Sequence, residues 1–588
     1  MFDILKFLLV IFALTLPGWF CVYAVFNKIE QEQKIALSLS FGWALSIFIA
    51  HNSMYLHIKY FIYFWITTLA LSIFLYLRKS PQISKSRYKL KHYTGLIILL
   101  LIVAAIRFSI SYFRVLPSGF DPQFHIILAR MVEMKYDGGM LTNWLPFRHA
   151  ELNYPLGLHA LIVIIGKYAN LPHYLIFNYM IPLFSTYMVY QVYCFSRLVS
   201  KNSRIALLAA AIFALWVNYG SIGYYGWGGL PNLIAFGFTI SMLMIMIEKQ
   251  QGRIAIFFMG FFYAAIFFTH HHVMITTLGI FSVLFIYYLK IDQPRAKQVF
   301  LSFLTAGIIG SYYMIPFALK IVTVDGTGVL KFKEPFFDIK MLVNSLGFVF
   351  SISLIIAVFI FFKQSKYKQK QYHFFLVVCA SLLLAFVFWE YIYRVIVIVL
   401  YNESYVGFAP SRFLTDLTPF LVLFPALLIY QLFKKKIYLA FVCVYLIGFT
   451  QIKQYKNQIA YDPVREHVLA RLNAFEYIRL NTSISNTIVI DIDPWAIALT
   501  GRRTLTLAPI PISEKDLGGK TYLDDIKERI MNKTLHETPY QFISIGYKSS
   551  HPNSKIVYTD KTNGIHIFRI DVHDYYQKEE PKKPIEKN

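Results

Sequence analysis

Gly119-Phe120-Asp121-Pro122-Gln123-Phe124-His125 places an acid and an imidazole directly after an apolar run, in a chain that is otherwise a succession of such runs. Of its 588 residues, 57% are apolar, 18% aromatic and only 15% charged, a mixture no ordinary soluble core accommodates. Many of the runs are long enough to cross a bilayer, and helices satisfy their own backbone there, so the chain reads as an all-α polytopic membrane protein. An ionisable group beside such a bundle is costly to place and points to a role.

Working outward from that motif, candidate spans fall at 4–26, 34–56, 59–77, 94–112, 172–196, 205–220, 230–248, 254–269, 272–290, 298–319, 342–362, 372–400, 412–431 and 437–452, about 14 in all. The first holds Pro17-Gly18 with no cluster of cations ahead of it; it reads as a span, a cleaved signal peptide being the alternative. The formal net charge of +25 does not imply nucleic acid, because the cations lie in short loops between spans, among them Arg78, Lys79, Lys85, Arg87, Lys89 and Lys91. If spans alternate, Arg197, Lys201, Arg204, Lys249, Arg253, Lys290, Arg295 and Lys434–Lys436 share one face, which the positive-inside rule makes cytoplasmic. Cys21, Cys194, Cys379 and Cys443 sit in apolar stretches without a CxxC, which indicates neither a disulfide framework nor a thiolate metal site.

The opposite, outer face receives the long segment 113–171, the aromatic and glycine-rich loop from Asn218 to Asn232, the triple histidine at 270–272, and everything after about 453. Within 113–171, Asp121-Pro122 followed by Phe124, Ile127, Leu128, Met131 and Val132 has the spacing of an amphipathic helix lying on the membrane surface, ending at Asp137-Gly138-Gly139. Tyr154 to Lys167 is apolar yet too short to cross, and reads as a second interfacial helix. The tail, with short runs such as Thr487-Ile488-Val489-Ile490 and a helical stretch near Arg465 to Arg479, reads as a small α/β domain outside the membrane, followed by a disordered 577–588.

The run from Asp121-Pro122-x-x-His125, through Tyr154-Pro155-Leu156-Gly157 and the basic turn Arg197 to Arg204, to Ser221-Ile222-Gly223-Tyr224-Tyr225-Gly226, resembles the GT-C superfamily of integral-membrane glycosyltransferases, and oligosaccharyltransferase catalytic subunits in particular. The resemblance covers about 94–452. It implies N-terminal transmembrane helices at 1–93, a catalytic transmembrane domain at 94–452 whose outer loop 113–171 carries two juxtamembrane helices, and an extracytoplasmic domain at 453–576. It also implies a sugar donor linked to a polyprenyl phosphate or pyrophosphate, a lipid, glycan or protein acceptor, and a plasma-membrane location among lipids. Two departures narrow it. Gly226-Trp227-Gly228-Gly229-Leu230-Pro231-Asn232 stands where oligosaccharyltransferases carry a second acidic motif, and Asp491-Ile492-Asp493-Pro494-Trp495 is not their Trp-Trp-Asp motif. Glycosyl transfer in general fits this pattern better than protein N-glycosylation.

The chemistry assigns roles to particular residues. A hydroxyl acceptor attacks poorly while protonated, so Asp121 is the candidate general base. A phosphate leaving group needs a cation, and Arg412 in Ala409-Pro410-Ser411-Arg412-Phe413 offers a fork that holds two oxygens at once. Asp121 is equally a good helix start, with Pro in the first turn. His125, one turn on, either completes a pair with Asp121 for a divalent cation such as Mg or Mn, steers the acceptor, or is a surface histidine. Three adjacent histidines cannot converge on one ion; either one of them, His270 for instance, faces the substrate or all belong to the interface. Tyr225 and Trp227 either stack on sugar rings or form an aromatic belt. Glu390 and Glu403 bracket the outer stretch before Arg412 and are candidates to replace the missing second carboxylate. No cofactor is required by any motif. The rival class is a transporter or flippase of an amphipathic solute, which calls for ionisable groups near the bilayer midplane and inverted repeats.

Overall fold

The computed structural model describes residues 2–26, 29–56, 59–79, 93–113, 121–136, 154–215, 229–248, 252–323, 370–388, 411–433 and 465–482, five strands, and short pieces between. The chain divides into two units, Met1–Pro122 with Asn153–Tyr461, and Gln123–Leu152 with Asp462–Asn588.

The first unit is helical: α1 Phe2–Val25, α2 Gln31–Leu56, α3 Lys59–Lys79 and α4 Thr94–Phe113 come before α5, which starts at Asp121 and runs to Tyr136. After it come α6 Gly157–Ala169, α7 His173–Ser200, α8 Ser203–Leu215, α9 Leu230–Ile247, α10 Arg253–Thr269 and α11 His271–Ile291. The unit continues with α12 Gln293–Thr323, α13 Lys370–Val387, α14 Ser411–Leu421 and α15 Leu423–Phe433. Among the described residues, 8 helical segments are long and apolar enough to cross a membrane, or 9 if α6 and α7 are counted as one. The 108° bend between α6 and α7 makes them separate elements, as the short run at Tyr154 to Lys167 predicts. The expected spans 342–362 and 437–452 lie largely outside the described residues.

Burial sorts the helices by position. α9 is buried along its whole length and apolar on every side, the signature of a central helix. α3 and α4 instead expose Tyr63, Ile66, Phe74, Leu101 and Ile106, side chains that face lipid in a membrane. With no hydrophobic drive between helices in lipid, close backbone approach and polar contacts hold the bundle. Ser40 of α2, Gln191 of α7 and Ser241 of α9 form one such knot: Gln191 Nε2 donates to the Gly237 carbonyl at 2.8 Å, and the Ser40 and Ser241 hydroxyls lie 2.6 Å apart.

Opposite charges meet where the end of α7 approaches the start of α2. Arg197, in the last turn of α7, pairs through Nε with Glu32 at 2.8 Å and through Nη2 with Glu30 at 3.0 Å. The Tyr93 hydroxyl donates to Glu32 at 2.9 Å, and the Tyr190 hydroxyl donates to the Glu32 carbonyl at 2.7 Å. Burial raises the Glu30 carboxyl above its usual range, with Glu32 adding to the effect. The Glu32 side chain is 3% exposed, so removing its cation strands an acid in the bundle. Arg197→Ala is expected to lower stability by about 3 kcal/mol, read as a fall in the thermal unfolding midpoint in detergent.

In the second unit, β1 Thr487–Ile490, β2 Arg503–Thr504, β3 Gln541–Gly546, β4 Ser554–Thr559 and β5 His566–Ile570 form a five-stranded sheet in the order β2-β1-β3-β5-β4. β1 runs parallel to β2 and β3, while β5 is antiparallel to β3 and β4. Helix α16, Arg465–Asn481, lies on it: Asn473 Nδ2 donates to Asp560 at 3.1 Å and the Tyr477 ring packs on Tyr558 at 4.6 Å. On α16 the Arg479 guanidinium holds the Glu476 carboxyl below the usual range.

Both helices expected to lie at the membrane surface differ from that expectation. The tail domain is discontinuous, because the body of α5 clusters with it. Ile126, Ile127, Leu128, Ala129, Met131 and Val132 are all at most 1% exposed, and Arg130 Nη2 donates to the Leu499 carbonyl at 3.2 Å. An amphipathic pattern specifies that one face is covered but not by what, and here protein, rather than a lipid surface, covers it. α6 likewise is buried among neighbouring helices on nearly all sides instead of floating at an interface. The segment 577–588 lies outside the described residues.

Candidate functional site

Polar and aromatic groups gather around the start of α6 and the junction of α10 and α11. Tyr154, just before α6, is ringed by imidazoles: His159 at 5.6 Å between ring centroids, His271 at 5.4 Å and His270 at 6.3 Å, all nearly perpendicular to it. The Tyr154 carbonyl accepts from the Tyr313 hydroxyl at 3.2 Å, which ties α12 to the entry of α6. Beside it, His51 Nδ1 lies 3.0 Å from the Tyr312 hydroxyl. At Gly157 the chain passes so close to α10 that a Cβ would lie 2.7 Å from the Phe268 carbonyl oxygen, so only glycine fits.

The triple histidine splits as three neighbours on a helix start must. His270 caps α11, its Nδ1 accepting the Val273 N–H at 3.4 Å. Its ring stacks on His271 with 7° between planes, whereas His272 turns 83° away. His272 points into the bundle, where its Nε2 lies 3.4 Å from Asp416 Oδ2. Asp416 is fully buried in α14 and accepts two further contacts, from Asn232 Nδ2 at 3.2 Å and from the Thr276 hydroxyl at 3.1 Å. One carboxyl group thereby joins α9, α11 and α14.

This carboxyl was not among the sequence candidates. Its signal was legible: an acid inside the apolar run Phe413-Leu414-Thr415-Asp416-Leu417, one turn after Arg412. Glu390 and Glu403, the sequence candidates for a second acid, lie outside the described residues together with Tyr225 and Trp227. Asp121 is the first residue of α5 and Arg412 lies in the first turn of α14; the side chains of both fall outside the described residues. His125 is not the surface histidine that one reading allowed. It is 3% exposed, its ring 5.4 Å from that of Phe124. Among the described residues no three His, Cys, Asp or Glu side chains are grouped so as to hold a metal ion.

No family model and no curated protein matches the chain. Solved structures do. ArnT from Cupriavidus metallidurans in the apo state superposes over 81% of this chain and 98% of its own at a TM-score of 0.51, with 10% identity. The chain shares the fold of that ArnT. The same ArnT bound to undecaprenyl phosphate gives a TM-score of 0.49 with 10% identity over 81% of this chain and 98% of that one. The Archaeoglobus fulgidus oligosaccharyltransferase in the apo form gives 0.45 with 12% identity over 78% of this chain and 70% of its own. At such identities the likeness concerns the arrangement of helices and carries over no residue's role.

Proposed function

We propose that the protein is a membrane glycosyltransferase that moves a sugar from a polyprenyl-phosphate-linked donor to a hydroxyl-bearing lipid, glycan or protein acceptor at the outer membrane face, with inversion. The observation that carries this reading is the ArnT-like fold over 81% of the chain, with an Asp-led helix next after α4 in the chain. The tail, after an even alternation of spans, belongs outside the membrane on the same reading.

The proposed step balances simply. The acceptor oxygen attacks the anomeric carbon from the face opposite the phosphate, and Asp121 takes the hydroxyl proton. As the new glycosidic bond forms, the bond from that carbon to the phosphate oxygen breaks, and its electron pair leaves with the polyprenyl phosphate. Arg412 meets the developing charge with a bidentate fork. One displacement inverts the anomeric centre.

A transporter would place its ionisable groups near the middle of the membrane. Among the described residues several buried ones instead sit toward helix ends, Glu32 with Arg197 at one and His51, His272 and Asp416 at others, while Arg107, within α4, is held by the Ala214 carbonyl. That distribution favours a site at a membrane face. A strain lacking the protein is expected to lose one class of glycosylated lipid or surface glycan and to accumulate the intact polyprenyl-phosphate sugar, as read by mass spectrometry of membrane extracts. Loss of the same glycans with the donor trapped on the cytoplasmic side would instead establish the transport reading.

A further inference from the structure

We propose that Asp416 is a positioning residue for the phosphate-binding end of the donor site, holding the start of α14, and with it Arg412, against α9 and α11. This deepens the glycosyltransferase reading and rests on it.

Two stretches that the sequence marks as functional meet at this carboxyl group, and a third lies one helical turn before it. Asn232 closes the aromatic and glycine-rich loop, His272 ends the triple histidine, and Arg412 precedes Asp416 by one helical turn. The contacts at 3.2 Å to Asn232, 3.1 Å to Thr276 and 3.4 Å to His272 come from two different helices. A bundle that needed only a polar staple between these helices already has a neutral one: the Thr239 and Thr277 hydroxyls join α9 to α11 at 2.7 Å. A carboxyl group at 0% exposure costs more to bury than a hydroxyl and needs several partners at once, which a purely structural contact here does not require.

The helix it holds also needs holding. α14 is 11 residues long, with Pro419 within it, and it gives way at Val422 to α15, which begins at Leu423. Proline withholds a backbone donor from the preceding turn and loosens the helix there. The first turn, carrying Arg412, is therefore anchored less by its own helix than by what Asp416 grips. A cation that must meet two phosphate oxygens in a bidentate pair loses most of its advantage when displaced by about 1 Å.

The test uses the full-length protein in nanodiscs and farnesyl phosphate, a short polyprenyl monophosphate, as the probe. Arg412→Ala is expected to weaken binding by about 30-fold and Asp416→Asn by about 10-fold. The double variant is expected to bind no more weakly than Arg412→Ala alone, because the second change acts through the first. Thr277→Val, which breaks the neutral staple, is expected to lower the unfolding temperature while leaving affinity unchanged. Should Asp416→Asn fail to fold, Thr276→Val removes one partner of the carboxyl group and is read the same way, with a loss of about threefold. If Arg412→Ala loses binding while Asp416→Asn and Thr276→Val keep it, the positioning role is overturned and the glycosyltransferase reading stands. If losses in the double variant simply multiply, Asp416 is a structural staple. If Arg412→Ala binds as tightly as the parent, the donor-site reading itself fails.

Discussion

Asp121→Asn is expected to abolish sugar transfer while leaving the protein folded and able to bind its donor. The reason lies in what Asn keeps and what it loses. Its amide has nearly the shape of the carboxylate, and Asn starts helices as well as Asp does, so α5 keeps its beginning and its Pro122 first turn. It loses the basic oxygen that takes the acceptor proton, a role worth about 10²- to 10⁴-fold in rate. The substitution therefore separates the two roles that the Asp-Pro pair leaves open. A residue that only starts a helix tolerates Asn, whereas a general base does not. The measurement is transfer of radiolabelled sugar in membranes carrying equal amounts of each variant, alongside the unfolding midpoint of the purified proteins. Asp121→Ala, which removes both features, is expected to lose activity and some stability together. Full transfer by Asp121→Asn would return Asp121 to a purely structural role and remove the base from the mechanism.

Gly42→Leu is expected to give the largest loss of stability, about 3 kcal/mol or more. α1 and α2 cross with their backbones in contact. A Cβ on Gly42 would lie 2.6 Å from Thr15 Cα and 2.7 Å from the Thr15 carbonyl oxygen. On the facing helix, a Cβ on Gly18 would lie 2.2 Å from the Ser38 carbonyl oxygen. Every obstructing atom belongs to a backbone, which cannot rotate aside as a side chain can. The helices would have to separate, stretching the bond from the Ser46 hydroxyl to the Leu14 carbonyl, now 3.0 Å. Gly307→Ala provides the comparison, since a Cβ there meets nothing within 4 Å, and it is expected to be neutral or slightly stabilising. Thermal unfolding in detergent, together with the yield of folded protein, distinguishes the two. Equal midpoints for Gly42→Leu and the parent would mean that α1 and α2 do not cross in this way.

Much of the architecture can be read from composition and spacing. The apolar runs at 230–248, 254–269 and 272–290 match α9, α10 and α11 to within a residue or two, because a bilayer demands a fixed length of apolar helix and permits few alternatives. Pairing is another matter. No pattern in the sequence indicates that Arg197 reaches Glu30 and Glu32, or that Gln191 reaches Gly237, contacts that join residues 46 to 167 positions apart.

For the candidate site the division is sharper. Asp121 and Arg412 are visible in the sequence because each is a charged group within two residues of Pro at the edge of an apolar run. His272 and Asp416 are not visible as a pair, because each alone resembles an ordinary interfacial histidine or a stray acid. The sequence by itself determined a polytopic helical bundle, its cationic end, an α/β tail and an acid-led helix in the long loop, all consequences of local length, polarity and periodicity. Only the tertiary structure decided that the body of α5 belongs with the tail, that the three histidines divide their directions, and that a buried carboxyl group ties α9, α11 and α14 together. Those outcomes depend on which faces meet, and one-dimensional periodicity records that a face is covered without recording its partner.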